Sequence, residues 1–259
     1  MSGAGKTAGV SWHQDLELPA DIVTAVDRLV DEMIRRLGAS LRCLLIYGGI
    51  ARGRYRVGQS DVNLMLIVDD ATAERVDSIA EPLRAGWLEA RVRPYIVAQT
   101  ELAALAEVFP TLVLDIQRYN VVVQGTNLLS EVTVDTEDLR RRVEQELANI
   151  ALRLRNRQAS VRGNVLATTA ALIQAARPLA LALGGLLQVA GHPLPSEDRS
   201  ATLYAEAAKV FGLDANALTQ LAELRQDSSA AADADSLYDA VLDATTRAMH
   251  AAFAEQPPS

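Results

Sequence analysis

The sequence predicts an α+β chain: a small mixed sheet with its helices over residues 16–135, then an antiparallel helical bundle over residues 136–255. Three observations carry this. Short apolar runs at Leu41 to Tyr47 and Val62 to Val68 are bounded by glycine or by polar residues, as buried strands are. The composition shifts near Asp135-Thr136, and no strand pattern follows. Beyond that point Leu139, Val143, Leu147, Ile150 and Leu154 step by threes and fours, the stripe of a long helix with one apolar face.

In chain order, residues 1–15 read as a loose tail. Gly3-Ala4-Gly5-Lys6-Thr7 has the ending of a phosphate-binding loop, but only two residues precede it, so the strand and first glycine of that motif are missing. Pro19 opens a helix whose stripe runs from Ile22 to Leu37, and Gly38 closes it. After the first two strands, a helix is expected from Thr72 to Trp87, bent or split at Pro82. A third strand follows, beginning at Glu89 or Ala90 and ending at Ala98. Thr100 is expected to cap a short helix through Val108, ended by Phe109-Pro110. Leu112 to Tyr119 fits helix or strand, and Val121 to Val123 reads as a short edge strand ended by Gly125. In the second half the pattern predicts further helices from Asn164 to Ala190 with a kink at Pro178, from Ser200 to Phe211, from Ala215 to Arg225 behind Asp214, and from Asp227-Ser228 to Phe253. Short links between five helices argue for antiparallel packing.

Composition excludes several classes. The chain has 259 residues, enough for two modest domains. Its net charge of −8 argues against a surface for duplex nucleic acid. Residues 1–18 lack an apolar run, so no signal peptide is expected, and the apolar window Pro178 to Ala190 is shorter than a bilayer span. The expectation is no membrane partner. The single cysteine, Cys43, reads as a small buried hydrophobe and fits a cytoplasmic protein. His13, His192 and His250 show no metal-ligand spacing.

Chemistry concentrates between Leu44 and Asp70. The first strand runs into Gly48-Gly49, then Ala51-Arg52-Gly53-Arg54, then Ser60-Asp61-Val62-Asn63-Leu64 at the start of the second. Residues two apart on a strand share a face, so Asp61 and Asn63 look toward one site while Val62 and Leu64 enter the core. Glycines without Cβ let backbone amides approach a phosphate.

This stretch resembles the nucleotidyltransferase superfamily, the polymerase-beta-like fold. The resemblance covers about the first half of the chain, and its motif lies within residues 44–66. It implies Mg²⁺ chemistry, with Gly48, Gly49, Arg52 and Ser60 against nucleotide phosphates and Asp61 and Asn63 as the catalytic pair. Asp61 is the implied metal ligand. The family has an aspartate where Asn63 stands and commonly a serine where Gly49 stands. Its third carboxylate belongs on the next strand, where this chain has Arg91 and Arg93, with Glu89 at the expected strand start. One certain carboxylate implies weak or absent Mg²⁺ binding. A second arginine cluster, Arg140 to Arg142 with Arg153, Arg155, Arg157 and Arg162, reads as a solvated helix face paired with Glu144 and Glu146, or as the wall of an anion pocket.

Three functions fit these residues. The first is a catalytically degenerate nucleotidyltransferase-like pseudoenzyme that binds nucleotide or another phosphate ligand. The second is an active Mg²⁺-dependent transferase using a nucleoside triphosphate and a small-molecule or protein hydroxyl. The third is a scaffold whose helical bundle holds a partner or forms a homo-oligomer.

Overall fold

The computed structural model describes residues 12–58, 60–195, 200–224 and 233–254. The phosphate-loop look-alike at 3–7 lies outside the described residues, as does the expected start of the last helix at 227–228. The architecture is α+β, and the chain divides into two compact units. The first holds residues 1–106 and 112–133, and the second holds residues 107–111 and 134–259.

The first unit begins with a turn at residues 12–15, where the Trp12 indole donates to Asp27 at 2.7 Å. These residues were expected to be loose tail; the indole hydrogen bond ties them to the first helix. That helix, α1 (Ala20–Leu37), lays Ile22, Val26, Leu29 and Met33 into the core. Next come β1 (Leu41–Tyr47) and β2 (Val62–Val68), antiparallel to one another. Leu44, Ile46, Leu64 and Leu66 meet α1 on one face of the sheet. Cys43, Leu45, Met65 and Ile67 are fully buried on the alternate positions, so both faces of the central strands are covered. The crossover helix α2 (Ala73–Ala90) returns the chain to β3 (Val92–Ala98), which pairs parallel to β2. After α3 (Leu102–Val108) and α4 (Pro110–Arg118), β4 (Asn120–Gly125) closes the other edge, giving the order β3-β2-β1-β4.

Several expectations need correction. The helix over Pro82 is not split: α2 runs through it and three residues past Trp87. Glu89 therefore lies in the last turn of α2, paired with Arg28, and β3 starts at Val92. Thr100 does not cap the next helix. A 3₁₀ turn at Gln99–Glu101 precedes α3, and the Glu101 carboxylate accepts from the Ala98 amide at 2.8 Å. The ambiguous segment at 112–119 is helical, with Val113 and Ile116 fully buried one turn apart.

The second unit is helical among its described residues. It comprises α5 (Thr136–Val161), α6 (Val165–Val189), α7 (Ser200–Phe211), α8 (Ala215–Leu224) and α9 (Ala234–Ala254). The expected stripe from Leu139 to Leu154 is buried as α5 packs on α6 and α9. Asp135, Asn164 and Asp214 accept hydrogen bonds from the amides that open α5, α6 and α8. Asp233 does the same for α9, which begins seven residues past Asp227. Helix α6 is long and apolar enough to cross a bilayer, but most of that window is buried inside the protein, as in a core helix.

Candidate functional site

The site grows from the way α2 ends. A helix that stops needs its last residue to leave the helical path, and glycine usually does so by turning left-handed. Here Arg91 does it, at φ 52° and ψ 39°, among the described residues the one non-glycine with positive φ. Its amide closes the helix onto the Gly86 and Trp87 carbonyls, and its own carbonyl accepts from the Val62 amide at 3.2 Å. That last bond locks the register of β3 against β2. Val62 faces Val92 and Asn63 faces Arg93, and one step earlier Asp61 falls beside Arg91.

The consequence is a clamp. Arg91 donates through Nε to Asp61 Oδ1 at 2.9 Å, with Nη2 2.8 Å from the same oxygen. Arg93 Nε lies 2.6 Å from Asp61 Oδ2. Both oxygens of the one motif carboxylate are therefore held by guanidinium groups. Behind them stands Trp87, whose ring centre is 5.5 Å from the Arg91 guanidinium carbon and 5.3 Å from that of Arg93. Sequence reasoning missed Trp87. It lies four residues before Arg91 on α2, and that one-turn spacing is the signal that could have found it.

Asn63 sits beside this clamp, between Tyr47 on β1 and Arg93 on β3. Its amide lies close against Gly48, where a Cβ would come within 2.7 Å of Asn63 Nδ2. Gly48 also has φ 77°, so only glycine satisfies both the turn and this approach. Residues 48–53 form successive turns rather than a helix, with the Arg54 amide donating to the Gly49 carbonyl at 2.8 Å. Ser60 closes the loop by accepting from the Arg56 amide at 2.9 Å.

Arg52 takes a different place from its motif neighbours. Its side chain is only 9% exposed, ion-paired with Asp115 of α4 and set over the Tyr119 ring at 4.4 Å. Asp115 and Tyr119 were not found from sequence, since nothing in the motif points 63 residues ahead. Burial chiefly, with the Asp115 carboxylate and Tyr95 near it, raises the pKa of Tyr47. Burial chiefly raises that of Tyr55 as well, while Arg91 pulls it the other way.

The donor set does not fit the metal centre that the motif implies. A hard cation needs free carboxylate oxygens, and both of Asp61's face guanidinium groups. The next position offers a neutral amide and the one beyond it a cation. Among the described residues no group of three or more His, Cys, Asp or Glu could hold a metal ion.

In the second unit, Arg140 pairs with Glu137 and Glu144, Arg141 with Asp138, and Arg142 with Glu146. Arg153 and Arg177 join Arg142 around an open cleft of about 360 Å³.

No protein-family model and no curated protein sequence matches the chain. A solved structure does: that of a spectinomycin adenyltransferase from Enterococcus faecialis, determined with ATP and spectinomycin. It superposes with a TM-score of 0.54 at 11% identity, covering 87% of this chain and 98% of that one. The chain has the nucleotidyltransferase fold.

Proposed function

We propose that this protein is a catalytically degenerate nucleotidyltransferase-fold protein that binds a nucleotide or another phosphate ligand. The observation that carries the reading is the engagement of both Asp61 oxygens by Arg91 and Arg93. Metal-dependent transfer needs carboxylates to hold Mg²⁺ against the triphosphate. Here the one carboxylate is spent on neutralising arginines, and the strand that should supply another supplies a cation. The neighbour solved with ATP supports a nucleotide as the ligand. The apposition of Gly48 with Asn63 supports the same loop as the place where it docks.

The test measures metal and transfer separately. Mn²⁺ binding is followed by electron paramagnetic resonance with and without ATP, and pyrophosphate release is assayed with Mg²⁺, ATP and hydroxyl acceptors that include spectinomycin. The expected result is no Mn²⁺ site on the parent beyond that on free ATP, and no enzyme-dependent pyrophosphate. Steady pyrophosphate release that Asp61→Asn abolishes would establish an active transferase instead.

A further inference from the structure

We propose that the Arg91–Asp61–Arg93 cluster is a metal-independent site for the polyphosphate group of a ligand, with the two guanidinium groups standing where the fold otherwise places Mg²⁺. This rests on the phosphate-ligand reading above and deepens it. Four observations support the proposal, and none of them is a sequence motif.

The first is charge. Two guanidinium groups share one carboxylate, so the cluster keeps one net positive charge. The second is free valence. The Arg91 and Arg93 side chains are 45% and 56% exposed. Neither Nη1 of Arg91 nor either Nη of Arg93 has a protein acceptor among the described residues. A guanidinium carries five N–H donors in a fixed fork, so one edge of each is held by Asp61 while another faces solvent. The third is preorganisation. Asp61 grips both groups from one side, and Trp87 backs both from another. Two like charges kept together in this way are ready for a dianion, and little side-chain freedom is lost on binding. The fourth is the backbone of Arg91, whose left-handed conformation glycine would adopt without strain. An arginine held there is a local cost in exchange for its side chain, the situation found at binding sites.

The ligand chemistry follows. Planar forks of donors match phosphate oxygens two at a time, so the site takes a multiply charged phosphate chain without needing a cation. Mg²⁺ bound to that chain would lower its charge and bring a third cation beside two guanidinium groups.

The experiment titrates the full chain by isothermal calorimetry with ATP and, in a second arm, inorganic tripolyphosphate. Each is run in EDTA and again in Mg²⁺. Binding of at least one probe in EDTA is expected, and Mg²⁺ should not strengthen it. Tighter binding of ATP than of tripolyphosphate assigns the ligand as a nucleotide, and equal binding assigns the phosphate chain alone. Arg93→Gln should weaken binding at least about tenfold, the loss expected for a charged hydrogen bond. Arg93→Lys keeps the charge without the fork and should recover part of it. Melting curves of both variants check folding, and Trp87 fluorescence in a Trp12→Phe background gives a second reading of occupancy. The proposal is overturned if neither probe binds in EDTA, if binding requires Mg²⁺ and is lost in Asp61→Asn, or if folded Arg93→Gln binds like the parent. The first and third of these outcomes leave catalytic degeneracy untouched, and that reading is tested on its own by pyrophosphate release from the unmodified protein.

Discussion

Replacing Arg91 by glycine and by alanine separates the strain in its backbone from the contacts of its side chain. Both variants lose the same ion pair with Asp61 and the same stack on Trp87, so those losses cancel when the two are compared. What remains is the backbone at φ 52°. A left-handed conformation costs a residue with a Cβ roughly 1–2 kcal/mol. Glycine escapes that cost but has more freedom to lose on folding, which returns about 0.4–1 kcal/mol to alanine. Arg91→Gly should therefore be the more stable of the two by about 0.5–1 kcal/mol. Both tryptophans, Trp12 and Trp87, belong to the first unit, so tryptophan fluorescence in urea follows that unit alone. With a slope of about 2 kcal/mol/M, the two midpoints should differ by about 0.25–0.5 M at equal slope. Equal midpoints, or a higher one for alanine, would show that the end of α2 does not impose the left-handed turn. The argument that the arginine is held there at a cost would then fail.

Three more outcomes are expected. Cys43 is fully buried and its thiol is pushed up to about 11 by that burial, so at pH 8 it should resist a thiol reagent in the native protein and react at the rate at which the sheet opens. Asp70 is held below its ordinary value chiefly by hydrogen bonds from Arg75, at 3.0 and 2.8 Å, so its contribution is full above the unfolded carboxylate value near pH 4 and is lost as pH falls through the lowered one; Arg75→Gln should lower stability at pH 7 slightly, flatten that acid limb of the stability profile, and converge with the parent at the acid end. A methyl group at Gly185 would come within 2.6 Å of Val143 on the facing helix, so Gly185→Ala should destabilise the helical unit by about 1–3 kcal/mol, read as faster amide exchange along α5 and α6.

The parts of the fold that were legible are those with redundant signals. Strands β1 and β2 have the expected ends because a mostly apolar run meets a glycine turn or acids at its borders. Helix α1 has both a stripe and a terminal glycine. Helix α2 runs past its expected end for a matching reason: its stop is Arg91, which carries none of the usual left-handed signal, so its last turn has the sequence look of a strand start. The segment at 112–119 stayed ambiguous because two buried turns are too short to show a period. Pro110, a residue suited to the first position of a helix, was the signal that could have decided it. At the site, alternation gave which residues share a face but not who meets whom. The pairing of Asp61 with Arg91 and Arg93 depends on the parallel register, which is set where α2 ends. Arg52 shows the same gap, since its partner Asp115 comes from a helix the motif does not include.

Magnitudes decide how the clamp behaves toward a metal. Half-exposed ion pairs contribute about 0–1 kcal/mol each, so the strength of the pairs alone would not exclude Mg²⁺ from Asp61. Charge does more. At an effective dielectric of about 40, a divalent ion some 5 Å from one guanidinium is repelled by on the order of 3 kcal/mol. Asp61, at coordinating distance, attracts it by roughly twice that, and the two guanidinium groups together offset this attraction. Asn63→Asp would bring the cluster only to neutrality, so its gain in Mn²⁺ binding should be small. Asn63→Asp combined with Arg93→Asp would leave two net negative charges and remove the nearest cation from the strand face that Asn63 shares. Metal binding should therefore appear in the double variant and not in the single one, while metal-free binding of polyphosphate is lost. A large gain in the single variant would mean that the missing carboxylate at position 63, rather than the guanidinium pair, is what keeps Mg²⁺ from this fold.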